Sequence, residues 1–295
     1  MRTLPCQRTV DGSMRVGCVV LIALVGLSYG CDSTARDVVA LSNEGIRSLE
    51  RQEYSRARER FLAVLKLDAD DGDAHFYLGS IALHEEKWDA AADHLRKATV
   101  SDPRRVDAHL LLAKALAEAG HPRDALAAAE GVFKLDAGHP QAHLLVARVA
   151  VHGGDLPIAD KALRAAIAGD PGFAPAYSKL AALYSDVGAF EAARAVLDEG
   201  LRFSPDSAEL QESLGVAWLD LGRPDRARQV LDPAVANPKA RPQAFVNLAA
   251  ALLQLGEYDA ATQALRSFLL QKRGDKDPAV EAAAKMLLKL KSRPR

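Results

Sequence analysis

Cysteine is nearly absent: Cys6, Cys18 and Cys31 are the only three, all within the first 31 of 295 residues. Nothing beyond Cys31 can form a disulfide framework or a C-x-x-C pair. Aromatic residues make up 5% of the chain, and β-branched residues are sparse, which argues against an all-β fold. Charge of one sign is missing too. Lys+Arg 38 against Asp+Glu 39 leaves a net charge of −1, without the basic footprint that a nucleic-acid backbone requires. After residue 30 no apolar run approaches the roughly 20 residues of a membrane-spanning helix. What the chain has is 55 Ala and 41 Leu, about a third of its length. These are the strongest helix formers, and 49% hydrophobic content is too high for a disordered chain.

The N-terminus reads as an address. Residues 16–27 are uncharged and mostly apolar, and Arg2, Arg8 and Arg15 precede them. A basic stretch followed by an apolar run of this length is the pattern of a secretory leader, here 1–30. Met14 directly before Arg15 offers a second start that would make the leader compact. The run closes on Leu27-Ser28-Tyr29-Gly30-Cys31, which resembles the lipobox of bacterial lipoproteins. Two departures stand out, Ser28 at the usual leucine place and the bulky Tyr29. The resemblance implies that Cys31 is lipidated and becomes the first mature residue, with 31–37 as a short tether. An ordinary secretory leader and an uncleaved anchor are the other readings. Gly26-Leu27-Ser28-Tyr29-Gly30 also fits G-x-S-x-G, but that motif needs a strand–turn–helix setting with His and Asp partners.

A period of 34 organises the rest. Ala stands at 57, 91, 125, 159, 193, 227 and 261. Twelve residues before each is a small residue: Gly45, Gly79, Ala113, Ala147, Ala181, Gly215 and Ala249. Four residues after come Phe61, Leu95, Ala129, Leu163, Leu197, Leu231 and Leu265. Gly120, Gly154, Gly188, Gly222 and Gly256 share one further column. Periods of this size mark stacked supersecondary units. Small residues let two helices approach, a large one fills the gap beside them, and glycine suits a left-handed helix end.

These columns resemble the tetratricopeptide repeat, best in repeat 5 with Tyr177, Leu180, Ala181, Tyr184, Gly188, Phe190, Ala193, Leu197 and Pro205. Repeat 3 is looser, having Pro122 at the aromatic place and Ala129 at the large one. The resemblance implies seven helix-turn-helix repeats over 38–275 (38–71, 72–105, 106–139, 140–173, 174–207, 208–241 and 242–275). Together they would form an all-α, right-handed α-solenoid. Residues 276–295 are expected to supply a basic capping helix and tail. Val280, Ala283, Leu287, Leu288 and Leu290 would form its apolar side.

Catalytic and metal motifs are lacking. His84-Glu85-Glu86 begins like a zinc helix, but Trp88 stands where the second histidine belongs. Asp68 to Asp73 looks superficially like a calcium loop, with glycine misplaced and Gly79 where a glutamate is needed. An acidic turn between repeats is the better reading. His75, His109 and His143 are spaced by the repeat. Equivalent residues on stacked helices roughly 8–10 Å apart cannot converge on one ion with bonds of about 2.0–2.1 Å, so packing roles are expected. No cofactor is expected either.

Recognition is what remains. The family resemblance places a binding groove along the first helix of each repeat. It assigns Phe76 and Tyr77, Leu110 and Leu111, and Leu144 and Leu145 to an apolar shelf, with Lys114 and Arg148 beside it. The family's clamp for C-terminal carboxylates wants Lys and Asn where Ser42 and Ile46 stand, so that mode is disfavoured. The expectation is a non-catalytic scaffold, lipid-anchored at Cys31 and facing the periplasm, that binds protein partners and no nucleic acid. It would resemble lipoproteins that assist assembly of a pilus, secretin or exopolysaccharide machine. A binding subunit of an envelope enzyme complex and a cytoplasmic adaptor are the alternatives.

Overall fold

The computed structural model describes the backbone of residues 17–237, 240–272 and 277–291, and within these ranges the side chains from residue 33 except 271 and 291. The Met14 start and the Cys31 side chain lie outside the described residues, as does most of the leader. Among the described residues the fold is all α, with fifteen helices and no strand. None of these helices is long and apolar enough to cross a membrane.

The chain divides into two compact units, Met1–Ala108 and His109–Arg295. In the first, α1 (Gly17–Glu50) pairs with α2 (Tyr54–Leu67), and α3 (Gly72–His84) with α4 (Trp88–Ser101). The boundary falls inside α5 (Val106–Glu118), in the repeat whose large column residue is only Ala129. The second unit continues with α6 (Pro122–Leu135). It then pairs α7 (Pro140–His152) with α8 (Leu156–Gly169), and α9 (Ala174–Asp186) with α10 (Phe190–Phe203). The pairs α11 (Ala208–Asp220) with α12 (Pro224–Ala236) and α13 (Pro242–Gln254) with α14 (Tyr258–Gln271) complete it. A last helix, α15 (Pro278–Lys291), packs on α13 and α14. Helices α3, α5, α7, α9, α11 and α13 start on the first residues expected of repeats 2 to 7. We call the odd-numbered helices A and their even-numbered partners B.

The seam between A and B helices explains the columns. All seven alanines of the 34-residue column are fully buried. A Cβ added at Gly79 would lie 2.6 Å from Leu95 Cγ, and one at Gly215 2.5 Å from Leu231 Cγ. The small residue on A and the large one on B therefore occupy each other's space. Phe61, Leu95, Leu163, Leu197, Leu231 and Leu265 are no more than 1% exposed, and each such burial is worth roughly 1.5–3 kcal/mol.

Turns follow the same repeat. The five column glycines have φ between 68° and 81°, the left-handed region that glycine enters without penalty. Repeats 1 and 2 use the same conformation without glycine, at Gln52 (φ 61°) and Glu86 (φ 57°). Between repeats, Asp68, Asp102, Asp136 and Asp170 each accept a hydrogen bond from the backbone N–H two residues on, at 2.8 to 3.1 Å. Such Asx turns give the Asp68–Asp73 stretch a structural task. At the C-terminus Ala279 and Ala283 are buried, with Val280, Leu287 and Leu290 packed beside them. Leu288 instead is 65% exposed.

Candidate functional site

The three repeat-spaced histidines settle into structural roles. Each stands fourth in its A helix. From that place His75 Nε2 meets the carbonyl of Ala69 at 3.1 Å, and His143 Nε2 meets that of Ala137 at 2.9 Å. Tyr177 and Gln211, fourth in later repeats, donate to Pro171 O at 3.1 Å and Pro205 O at 2.8 Å. The column is a tie from the A helix to the turn six residues upstream. His109 lies over Gly131, where any Cβ would collide with its ring. Among the described residues no group of three or more His, Cys, Asp or Glu is arranged to hold a metal ion.

His75 carries a second interaction. Its Nδ1 lies 2.9 Å from His94 Nδ1. Since its Nε2 faces a carbonyl and must carry hydrogen, its Nδ1 accepts and His94 donates. Burial, and then the neighbouring His75 and Lys97, push the His94 pKa down, with Asp93 acting against them.

In the first unit the aromatic pair assigned to the shelf is covered. Phe76 is 9% exposed, with the Arg105 guanidinium 3.6 Å over its ring. Asp73 and Asp107 hold that arginine in place. Tyr77 stacks on Phe61 at 4.8 Å and packs against the unit's core.

In the second unit the A-helix face is divided. Leu145 is buried against Ala113 and Ala129, and Leu144 packs partly into the neighbouring core cluster. Leu110 and Leu111 are half-buried, while Lys114 and Arg148 are exposed. Arg148 pairs with Glu118 of the preceding A helix. Lys114 and Lys179 make no ion pair among the described residues.

Further along, the face turns polar, in residues that a search for an apolar shelf passes over. Ser213 donates to Ser178 across adjacent A helices at 3.4 Å. By the same register Glu212 faces the helix of Asn247. Glu212 is only 8% exposed. Its Oε2 is buried without a hydrogen bond and has the Arg241 guanidinium 3.3 Å away as an ion pair. Burial raises its pKa, Arg241 opposes the shift, and nearby Glu209 adds to it. Asn247 accepts from Gln243 at 3.2 Å, while its own Nδ2 is buried without an acceptor. Burial also raises the Asp220 pKa, against a hydrogen bond with Ser185. Counting the fifth and sixth places of repeats 5 to 7 would have located Ser178, Glu212, Ser213 and Asn247; the burial of Glu212 depends on the neighbouring helices.

Two family models, both for the tetratricopeptide repeat, match residues 43–107 and 219–279, and 82–149 and 150–215. Similar solved structures include a tetratricopeptide repeat protein from Parabacteroides merdae, at 15% identity and a TM-score of 0.64, covering 88% of this chain and all of that one. PilW, a widely conserved type IV pilus biogenesis factor, is 18% identical with a TM-score of 0.59, covering 73% and 98%. YrrB, described as having an unusual peptide-binding site, is 21% identical with a TM-score of 0.50, covering 62% and 94%. At these identities the likeness is one of fold. No curated protein matches the sequence.

Proposed function

The chain belongs to the tetratricopeptide repeat family, and on that premise we propose a non-catalytic scaffold anchored by lipid at Cys31 and facing the periplasm. The observation that carries the binding half is the A-helix face of the second unit. There uncompensated cations, half-buried leucines and a buried carboxylate share one surface that the helix seam does not use. Fold likeness to PilW favours assembly of a pilus or a related secretion or exopolysaccharide machine, since that protein serves pilus biogenesis. The address rests on the leader-like sequence ending in Cys31. Helix α1 runs through Cys31 into the first repeat without a break. At about 1.5 Å per residue, an acylated Cys31 would stand roughly 10 Å from Val38, close to the lipid surface.

Two measurements test the parts separately. Cys31→Ser should release the protein from membranes on fractionation; full membrane retention with the leader removed overturns the anchor. Crosslinked capture from membranes should lose its partners when the full chain carries Lys114→Glu with Lys179→Glu. An undiminished set of partners overturns the A-helix face as the binding surface. A partner set made of polysaccharide-modifying enzymes would favour the envelope-enzyme alternative.

A further inference from the structure

His94 stands on the B helix of repeat 2, at a place where the fold does not ask for an imidazole. Hydrocarbon side chains fill that place in repeats 3 to 7, as Ala128, Ala162, Val196, Val230 and Ala264, and Arg60 takes it in repeat 1. Repeat 2 alone puts a histidine there. It meets a second imidazole, that of His75 on the paired A helix, with 2.9 Å between the two Nδ1 atoms.

His75 is 2% exposed, and its Nε2–H is committed to the Ala69 carbonyl at 3.1 Å. That tie fixes the ring and leaves Nδ1 bare. Histidines that ligate a metal are held in the same way, the other nitrogen donating to a carbonyl or carboxylate. The ring centroids are 5.1 Å apart, near the most that two imidazoles with nitrogens 2.9 Å apart can reach. Nitrogen therefore points at nitrogen. In the metal-free chain the Nδ1 proton of His94 fills the gap. His94 is only half-buried, so that proton can pass through water to its Nε2. A second bare nitrogen then faces the first.

We propose that His75 and His94 hold one copper(I) ion in linear two-coordination. Among the described residues no third His, Cys, Asp or Glu completes a metal-holding group with them. A zinc site takes four ligands almost always. Two nitrogens in line satisfy a monovalent d10 ion, and imidazole suits copper. Two bonds of about 2.0 Å need the nitrogens about 4 Å apart, roughly 1 Å more than they are. A turn of the half-buried His94 side chain supplies that widening. Burial disfavours a second positive charge, and the charged side chains near His94, Lys97 and Asp93, are opposite in sign. Binding moves one proton from Nδ1 to Nε2 of His94 and changes no oxidation state. The bound ion pins α3 to α4 and stabilises the first unit by mass action. The site does not depend on the partner-binding face.

The test titrates the full chain in detergent, free of oxygen, with copper(I) held by a chromophoric chelator. Cys6, Cys18 and Cys31 are replaced by serine so that no thiolate competes. The chain should withdraw one equivalent, and X-ray absorption should show a linear ion with two nitrogen neighbours. His94→Phe should weaken binding by about tenfold or more, since losing a ligand costs at least what losing its orienting partner does. His75→Gln should weaken it as much while its melt stays near that of the parent. Gln211 makes the same tie to the turn, to Pro205 O at 2.8 Å, so glutamine keeps the structural role and removes only the ligand. His152→Phe, at an exposed place in repeat 4, should leave the affinity unchanged. Equal affinity in the parent, His94→Phe and His75→Gln overturns the site. A loss with His152→Phe as large as with His94→Phe overturns it as well, because the ion is then spread over surface histidines. Zinc held by the same pair more tightly than copper(I) overturns the choice of ion.

Discussion

The seam between paired helices and the A-helix face of the second unit are built from the same repeats and obey opposite rules. At the seam every repeat has the same alanine, wholly buried, and every repeat but the third sets a small residue against a large one. On the face, the fifth and sixth places run Leu-Leu, Leu-Leu, Ser-Lys, Glu-Ser and Val-Asn through repeats 3 to 7. Close packing tolerates little change in volume, so what the fold requires recurs every 34 residues. A partner has its own sequence and imposes no such period. Within one chain, recurrence marks what the fold requires, and departure from it marks positions that the fold leaves free.

The largest expected effect lies at the seam. Leu197 is 1% exposed, and Leu197→Ala should lower stability by about 2–5 kcal/mol in a denaturant melt. A loss under about 1 kcal/mol would mean that the seam is not what holds the second unit together.

Acid should act on the first unit through the His75–His94 contact. A pKa lowered in the folded state means that the folded chain binds fewer protons than the unfolded one just below the ordinary histidine value. Stability is therefore complete above about pH 6.5 and falls as pH drops through that region, by at most about 1.4 kcal/mol per pH unit for one proton. Melts from pH 7.5 to 5 should show this slope, and His94→Phe should flatten it. An equal slope in the variant would place the acid sensitivity elsewhere. Glu212 carries the opposite sign, since its raised pKa makes the ionised carboxylate unfavourable as pH rises above the ordinary range.

Smaller gains are expected at the turns. A non-glycine residue in the left-handed region is strained by roughly 1–2 kcal/mol. Part of that relief is lost to the extra freedom of glycine in the unfolded chain. Gln52→Gly and Glu86→Gly should each raise stability by about 0.5–1 kcal/mol, and unchanged or lower melting temperatures would contradict this. The smallest effect on stability belongs to the face. Lys114→Glu with Lys179→Glu should shift it by less than about 0.5 kcal/mol although partner capture is lost. A large loss of stability would merge face and seam into one structural element.

Much of the fold was legible in the sequence because seam and turn chemistry repeat. The alanine column, the small-against-large pairs and the left-handed glycines needed only counting. Gln52 and Glu86 escaped because a left-handed turn without glycine leaves no chemical mark. The candidate site was less legible. Leu144 and Leu145 are the same residue in sequence, yet one turns further inward because the helical period sends adjacent side chains in different directions. Phe76 reads as a free anchor until Arg105, brought over it by the next turn, closes its ring. Glu212 reads as a solvated charge, and its burial arises only from the helices stacked beside it. The division at Ala108 leaves the 34-residue period unbroken and falls in the looser third repeat.

Two exposed alanines give the sharpest test of the division between seam and face. Ala182 lies on the A-helix face of repeat 5, and Ala195 lies on the B helix of the same repeat. A photo-crosslinking amino acid placed at one or the other, in the full chain produced in its own cells, reports which surface the partner touches. Crosslinked partner from position 182 and none from 195 is the expected result. Crosslinks from 195 with none from 182 would contradict the A-helix face as the recognition surface.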